Sequence, residues 1–531
     1  FKAEHNWDKA VMSYVAGFQY LRDRMDMDQD FTRADIYTLM QKQNSRVLSQ
    51  EIAVKNRPGA WKHWEWSTGI SGFCQWLTTT APVTFRQEGV SWINGNMNSM
   101  ANMHMPVIEQ KLPNGQTLMS MKMIFNDQIQ GTELPFPGHF QTPTGNGAIY
   151  HQSTITDLLG VKGLDLIAGL RLDYEKLRLD YNTGYDFQHE YGLNGELTMG
   201  GMTRNLTLVE KNTYQAQREL MGKLKHDYLQ LLPRFSVQYK IKDSNVYATI
   251  SKGYRSGGYN IQQFSGALQR LMQADIMQDV AKATIPVLEN QHAIPADIKE
   301  QVTGMLMGMA TQPEINIRDL CQYKPEYAWN YEVGTHINVL NRRLRMDAAV
   351  YLTEVRDQQV SRMADNGLGR ITVNAGRSRA VGCEFSAEGQ ISEALSAHTA
   401  YGFTHSTFRT YSPKEGLTYR GNYVPFVPIH TFNVGARYNW NLDGWLQHII
   451  LQADWNGRGK TYWTEDNQAS ENFYGTLDAR LSLSHGQVEM GLWGKNLTNH
   501  DYRAFYFESM GRGFYQKGAP LQVGVDVRIR L

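Results

Sequence analysis

Cysteine is scarce in this sequence, and its scarcity argues against one class of architecture. Cys74, Cys321 and Cys383 are the only three among 531 residues, and they lie far apart in no metal-binding or redox spacing. Disulfide-stapled scaffolds carry an even set of closely spaced cysteines, so no disulfide framework is expected. Charge of one sign is also missing, because 53 Lys and Arg balance 52 Asp and Glu. This balance gives no net field to attract nucleic acid.

Long hydrophobic runs are absent as well. The mean hydropathy is −0.48, and no run approaches the roughly 20 apolar residues that a membrane-spanning helix needs. A helical membrane protein is therefore excluded. A transmembrane β-barrel is not excluded, because its strands alternate lipid-facing and lumen-facing side chains and appear polar on average.

Alternation of apolar and polar residues is the main positive signal. Residues 521–531 read LQVGVDVRIRL, in which every second side chain is apolar. The same period recurs over residues 164–174, 432–440 and 477–483. A period of two predicts β-strands with one apolar and one polar face.

The length of these runs favours a transmembrane barrel over a large soluble β-sandwich or propeller array. Soluble strands need about five or six residues, whereas a strand that crosses a membrane needs about 9–11. Aromatic residues close several runs, as at Tyr174, Tyr438, Trp440 and Trp455, which is typical of a membrane interface. The predicted fold class is all-β, an antiparallel transmembrane β-barrel. About seventeen strands are predicted, near residues 1–7, 10–25, 45–56, 63–77, 149–160, 164–183, 228–242, 245–260, 327–340, 344–360, 370–389, 394–410, 427–441, 446–461, 472–485, 488–506 and 515–531.

Short and long connections alternate along the chain, as they do in bacterial outer-membrane barrels. The longest connections, 78–148, 183–227 and 261–323, are predicted to be outer loops that face the ligand. In the last of them, Leu268 and Ile276 belong to an apolar stripe with helical spacing that also includes Met272 and Val280. Pro295 could open a second helix. This cap could cover a ligand or simply pack on itself.

Four sequence strings resemble the barrel of TonB-dependent outer-membrane receptors, and the resemblance extends over nearly the whole chain. They are, in order, KGYRSGGYN at 252–260, WNYEVG at 329–334, NAG at 374–376 together with AVGCE at 380–384, and GKNLTN at 494–499. A looser similarity to receptors of Bacteroidetes lies in WEWSTG at 64–69 and TTAPVTF at 79–85. These strings are structural, since glycines relieve crowding in tilted strands and aromatics anchor at the interface.

The resemblance implies TonB-energised uptake of a scarce ligand through the bacterial outer membrane, with no catalysed reaction. A ferric siderophore or related iron complex is the favoured cargo, with haem, cobalamin, glycan or copper as alternatives. A passive porin or adhesin barrel is the alternative from another class. Implied partners are the TonB complex and outer-membrane lipid, with a lipoprotein as a further candidate. No catalytic residue and no cofactor are predicted.

Two sets of residues are candidates for ligand contact. The first is a substrate path along the polar faces of the strands, with most members expected to pair with one another or with a plug: Arg171, Asp173, Arg437, Asp454, Arg480, Asp526 and Arg528. The second is the set of soft donors Met97, Met100, Met103 and Met105 with His104, which could suit Cu(I). Methionine is also an ordinary filler of apolar gaps, so packing is the favoured role.

Strand direction predicts that further strands precede residue 1. The family's barrel has about 22 strands, an even number, so its last strand descends to the periplasm. Counting back through alternating turns makes the stretch at residues 1–7 a descending strand too. An odd number of strands is then expected upstream, roughly five, together with the plug and the TonB box. A ladder between residues 1–7 and 515–531 would contradict this prediction.

Overall fold

The computed structural model describes residues 1–28, 30–290, 294, 296–364, 370–509 and 511–530. Within these residues, four α-helices are present: α1 Gln87–His104, α2 Gln263–Asn290, α3 Ala296–Ala310 and α4 Ile317–Cys321. A short 3-10 turn covers Leu158–Gly160. In the described part of the chain, none of the helices has both the length and the apolar character needed to cross a membrane.

Seventeen strands of the described residues pair in chain order into one continuous antiparallel wall. They are β1 Lys2–Asn6, β2 Ala10–Asp28, β3 Tyr37–Asn56, β4 Trp64–Thr80, β10 Thr144–Ile155, β11 Leu164–Met199, β12 Met202–Ile241, β13 Ser244–Arg255, β16 Glu326–Val339, β17 Leu344–Arg356, β20 Arg377–Gln390, β21 Leu395–Thr410, β22 His430–Asn441, β23 His448–Arg458, β26 Tyr474–His485, β27 Val488–Lys495 and β30 Gln522–Ile529.

The remaining strands lie between the wall strands. Five belong to the connection between β4 and β10 and extend the same sheet: β5 Val83–Phe85, β6 Val107–Lys111, β7 Thr117–Ile129, β8 Leu134–Phe136 and β9 Gly138–Gln141. Four two-stranded pairs stand apart: β14 Gly258–Tyr259 with β15 Gln322–Tyr323, β18 Gln359–Met363 with β19 Arg370–Asn374, β24 Thr461–Tyr462 with β25 Ser470–Glu471, and β28 Arg503–Ser509 with β29 Arg512–Lys517. The continuous sheet of 22 strands is therefore the wall plus these five.

The wall confirms the predicted all-β antiparallel fold, and each predicted strand has its counterpart. The bounds differ where a hairpin interrupts the pattern. The predicted strands at 344–360 and 370–389 included residues that belong to β18 and β19 in the structure. Those at 488–506 and 515–531 included residues that belong to β28 and β29. These hairpins pair with themselves instead of the wall, so alternation alone did not separate them.

Side-chain exposure identifies the two faces of the wall. Cross-strand partners share a face, and Ile52, Ile70, Ile149, Leu172 and Leu231 follow one another across five strands. All five are exposed, as expected for the lipid-facing side of a barrel. This side is called the outward face below, and the opposite side is called the lumen face.

The hairpin of β11 and β12 corrects the predicted outer loop at 183–227. The two strands pair as far as Met199 and Met202, and they turn at Gly200 and Gly201. Both glycines have positive φ, which a two-residue type I′ turn requires. The residues predicted to form a loop therefore continue the wall far beyond the length that a membrane crossing needs.

The two faces of this hairpin exchange polarity along its length. Up to Tyr174 the outward residues of β11 are apolar, whereas Lys176 and Arg178 continue the same face. The lumen face changes in the opposite sense, from Asp173 to the buried Leu177 and beyond. Where the outward face becomes polar, the hairpin extends beyond the lipid. Where the lumen face becomes apolar, other parts of the protein must cover it.

An outer module provides that cover. It consists of α1, β5 to β9, the outer halves of β11 and β12, α2 and α3. All of these except β9 contribute to one apolar core, and Phe140 of β9 belongs to a neighbouring cluster with Phe264 of α2. In α2, the predicted stripe of Leu268, Met272, Ile276 and Val280 is buried, which confirms that helix. The second predicted helix is present as α3, whereas Pro295 lies outside the described residues. The regions predicted as outer loops 78–148 and 261–323 are therefore largely ordered helices and strands.

Three asparagines join α1 to the edge of β7. Asn94, Asn98 and Asn102 repeat every four residues, so they lie on one face of the helix. Each side-chain amide donates to a β7 carbonyl and accepts from the N–H of the same residue. For Asn98 the partner is Asp127, and both distances are 2.8 Å. These amides satisfy backbone groups of β7 that would otherwise be buried without partners.

The first and last wall strands leave a seam. Among the described residues, β1 pairs with β2 alone and β30 pairs with β27 alone. Sixteen successive antiparallel pairings separate them, so β1 and β30 run in the same direction. Beyond the wall, Phe31 from the β2–β3 connection contacts Phe507 and Phe514, with ring centroids 4.8 and 5.6 Å apart. Connections from both sides of the seam therefore meet at the outer end.

Candidate ligand path

The structure places all seven predicted path residues on the lumen face, in two separate sectors. In β11, Arg171 Nε donates to Asp173 Oδ2 at 2.8 Å. Across β26 and β30, Arg480 donates through two nitrogens to Asp526, both at 2.8 Å. Bidentate geometry makes the second pair the more strongly oriented one. Four of the seven path residues therefore pair with one another.

The remaining path residues lie in the sector from β22 to β30. Asp454 lies 3.0 Å from His398 Nε2, and Arg437 donates to Asn439 at 3.1 Å. Arg528 is exposed two positions beyond Asp526. The lumen wall is therefore a set of local charge pairs, not a single convergent site.

A second polar group surrounds Glu175 near the outer end of the lumen face. The Glu175 side chain is almost fully buried, and Ser256 donates a 2.7 Å hydrogen bond to it. Nearby, the backbone N–H of Gln359 donates to Glu326 at 2.6 Å. The sequence analysis did not single out these residues. The available signal was the position of Glu175 on β11, two residues after Asp173 and therefore on the same lumen-facing side of the strand.

An aspartate network anchors α2 over the lumen face of the β11–β12 hairpin. Asp275 of α2 accepts hydrogen bonds from Arg218, at 2.9 Å to Nε, from the Tyr185 hydroxyl, and from Gln312 at 2.7 Å. Burial alone would raise the pKa of Asp275, but these hydrogen bonds outweigh it and hold the pKa below its usual range. The helix is thus fixed by charge as well as by apolar packing.

A buried histidine lies deeper in the outer module. His189 Nδ1 is 2.7 Å from Asp127 Oδ2, and both side chains are completely buried. Burial raises the pKa of Asp127, although its contact with His189 acts in the opposite direction. Tyr214 stacks on the imidazole with a centroid distance of 5.5 Å. This pair belongs to the buried core of the outer module.

An apolar cleft lies where α2 begins, beside the wall. Tyr37, Phe136, Phe140, Phe264 and Leu268 line it. A mostly apolar concave surface with few polar groups is typical of ligand sites. Its position at the junction of α2 with β3 and β11 places it at the margin of the lumen mouth.

Aromatic and cationic side chains form a second surface on the other connections. The Arg370 guanidinium lies 5.8 Å from the ring centroid of Phe426 and 5.5 Å from that of Phe505. Phe505 continues to Phe507, and from there the contacts reach Phe31 across the seam. Cation–π contacts of this kind hold the arginine against the aromatic rings.

The methionine set is divided between exposed and buried positions. Met97 packs partly against the outer-module core, Met100 and Met103 are exposed on α1, and Met105 is buried. His104 Nδ1 lies 2.8 Å from the Met100 carbonyl oxygen. In the described residues, no group of three or more His, Cys, Asp or Glu side chains is placed to hold a metal ion. Copper binding at these methionines remains a prediction.

The long antiparallel wall, its apolar outward face and its polar lumen face define a transmembrane barrel. The family model described as "TonB dependent receptor-like, beta-barrel" matches residues 13–497. The chain therefore belongs to the TonB-dependent receptor family. Members of this family are transport receptors of the bacterial outer membrane, not enzymes, so the outward face of this barrel lies against outer-membrane lipid.

Several known proteins are similar to this chain. The pesticin receptor of Yersinia enterocolitica is 21% identical over 454 residues, which cover 82% of this chain and 56% of that protein. The probable TonB-dependent receptor BfrD of Bordetella pertussis is 29% identical over 159 residues, covering 30% of this chain and 20% of that protein. The crystal structure of the ferric yersiniabactin uptake receptor FyuA from Yersinia pestis aligns with a TM-score of 0.45 at 15% identity, over 98% of this chain and 79% of that one. The chain spans little more than half the length of the pesticin receptor.

Proposed function

We propose that this chain forms the barrel of a receptor that imports a scarce ligand across the outer membrane with energy supplied through TonB. The family match over residues 13–497 carries the proposal. The geometry supports it, because a polar lumen face lies beneath a mouth that the outer module partly covers. Relatives whose names describe receptors agree with this role.

Coupling to TonB requires a plug and a TonB box, which we place upstream of residue 1 in the native protein. The seam supports further wall strands there. Since β1 and β30 run in the same direction, pairing them directly would create a parallel contact in an otherwise antiparallel wall. An odd number of additional strands restores antiparallel pairing at both edges, and about five would give the even total that such barrels have.

The proposed cargo is a ferric siderophore or a related iron complex. Arg370 with Phe426 and Phe505 presents positive charge beside aromatic rings, and such a surface suits an anionic or aromatic metal chelate. From the mouth, the ligand would follow the lumen-face pairs on β11 and on β22 to β30. These path residues are Arg171, Asp173, Arg437, Asp454, Arg480, Asp526 and Arg528.

Uptake of radioactive iron tests the cargo. A strain lacking the gene would be compared with the same strain carrying the intact gene, using iron loaded on a hydroxamate, a catecholate and a citrate chelate. We expect at least one chelate to enter only when the gene and TonB are both present. Unchanged entry of all iron chelates in the deletion strain would remove the iron assignment. An open, TonB-independent conductance of the intact protein would instead identify a passive porin.

Variants of the lumen face test the path. Arg480→Gln removes the bidentate partner of Asp526, so uptake should fall severalfold while the protein still inserts in the membrane. The matched control is Arg342→Gln, because Arg342 is exposed and pairs with Asp243 in other turns. Equal uptake by the two variants would exclude Arg480 from the path.

A further inference from the structure

His189 of β11 lies where four elements of the outer module meet. Its side chain is fully buried, with Asp127 of β7 at 2.7 Å from Nδ1 and Asp279 of α2 at 3.6 Å from Nε2. Tyr214 of β12 stacks on the imidazole. One ring therefore lies between two carboxylates, one on the sheet and one on the helix that covers it.

The number of protons on this group decides whether both carboxylates are attracted. Two protons, one in each contact, allow the ring to bridge Asp127 and Asp279. A neutral imidazole has only one N–H and presents a lone pair at its other nitrogen. Nδ1 makes the short contact, and Nε2 has no hydrogen-bond partner among the described residues. The proton at Nε2 is therefore the more weakly held one, and its loss leaves a lone pair facing Asp279.

Neighbouring groups do not replace this charge inside the core. Lys282 lies 3.3 Å from Asp279, but its side chain is 72% exposed, so water screens its charge. The other titratable groups that face the site are the hydroxyls of Tyr214 and Tyr191, and burial raises the pKa of both, so they stay neutral. From α1, the uncharged Asn98 binds the β7 backbone. Loss of the Nε2 proton therefore sets the carboxylate of Asp279 against a lone pair where little water can intervene.

Asp127 responds to pH in the same direction. Burial raises the pKa of this carboxyl, and the contact with His189 only partly opposes that effect. A carboxyl whose pKa is raised by folding contributes stability that is present at low pH and is lost as the pH rises through the folded value. Both members of the pair therefore favour the folded module when they bind protons, and both weaken it as the pH rises.

We propose that His189 is a pH-sensitive latch between α2 and the β11–β12 hairpin. With a proton on Nε2, the imidazole attracts Asp279 and holds this turn of α2 over the lumen face. When the proton passes to water, the same turn loosens from the hairpin. Asp275 lies one turn away, and its contribution is lost in the opposite direction, in acid. The attachment of α2 is therefore strongest at mildly acidic pH, whichever ligand the receptor binds.

Hydrogen exchange of the α2 amides tests the latch in the intact protein. Rates at residues 276–284 would be measured between about pH 5 and about pH 8, where imidazole side chains titrate, and each rate would be divided by the intrinsic rate at that pH. We expect the protection of these amides to fall by about tenfold over this range, the effect of losing one charged contact. Amides of the wall strand β13 are the internal reference and should not show this fall. Unchanged protection of α2 across the range would overturn the proposal.

Two variants and one control assign the change in protection to the latch. In His189→Gln the side chain cannot titrate, and in Asp279→Asn the amide can donate to the lone pair of Nε2, so both should lose the pH dependence. The control is His226→Gln on β12, whose ring contacts Tyr228, and it should keep the pH dependence. If His189→Gln does not fold, Asp279→Asn still decides, since Asp279 is partly exposed. A pH dependence that persists in Asp279→Asn, or that disappears equally in His226→Gln, would contradict the latch.

Discussion

At the scale of single residues, Asp275 is the main polar link between α2 and the hairpin beneath it. Its carboxylate is held by Arg218, Tyr185 and Gln312. Asp275→Asn keeps the size of the side chain but leaves Arg218 without its counter-charge. We expect the local stability of α2 to fall by about 1–3 kcal/mol, the usual effect of removing one partner of a partly buried charged hydrogen bond. Hydrogen exchange of the α2 amides measures this change.

A control and a pH series identify the cause. Glu300→Gln alters an exposed carboxylate on α3 and should change α2 protection very little. Because the pKa of Asp275 is lowered in the fold, its contribution is complete above the unfolded pKa of about 3.9 and disappears as the pH falls through the folded value. The unaltered protein should therefore lose α2 protection below about pH 4, and Asp275→Asn should not show this step. An identical acid profile for both proteins would contradict the assigned role.

At the scale of secondary-structure elements, the asparagine ladder of α1 is a replacement for a missing strand. Asn98→Ala leaves the N–H and C=O of Asp127 without their side-chain partners. A buried backbone group that loses its partner costs about 1–3 kcal/mol, so the α1 and β7 amides should exchange faster by a corresponding factor. Asn96→Ala is the matched control, since Asn96 is exposed on the same helix. Equal exchange in both variants would mean that the ladder contributes no stability.

The elements also show how far the sequence could predict the fold. Alternation located every wall strand, because each must present one face to lipid and the other to the lumen. It did not show that 183–227 continues the wall, where the apolar residues lie on the lumen face and not on the outward face. Two sequence signals were available for that hairpin: Gly200-Gly201 between flanking strands, and Tyr185, Phe187, Tyr191 and Leu193 in continued alternation.

The candidate site was less predictable than the fold. Alternation along the strands correctly predicted that all seven path residues lie on the lumen face, since the face of a side chain depends only on its position along a strand. Contacts that join distant segments could not be derived in this way. Arg370 meets Phe426 and Phe505 from three different connections, and Asp275 meets Arg218 across 57 residues. Such contacts depend on how connections fold over the mouth, which no local period encodes.

At the scale of the whole molecule, the direction of the strands determines how the wall can close. An antiparallel barrel with an odd number of strands brings two parallel edges together at one position, and β1 and β30 are such edges. We therefore expect other strands of the native protein to lie between them. By contrast, Phe31 and Phe514 belong to connections beyond the wall, where they can meet without any pairing of the edges.

Paired cysteine substitutions in the intact native protein distinguish these arrangements. His5→Cys with Val525→Cys places thiols on the outward face of β1 and β30, and we expect no disulfide because intervening strands, each about 4.8 Å wide, would separate the edges. Leu492→Cys with Val525→Cys is the positive control, since these residues are direct partners in β27 and β30. Cys74 would be replaced by Ser in every protein to remove the exposed native thiol. Gel mobility after mild oxidation reports the bond. If the His5 and Val525 pair cross-links as completely as the control, the wall closes directly as a smaller barrel, and the proposed upstream strands do not complete it.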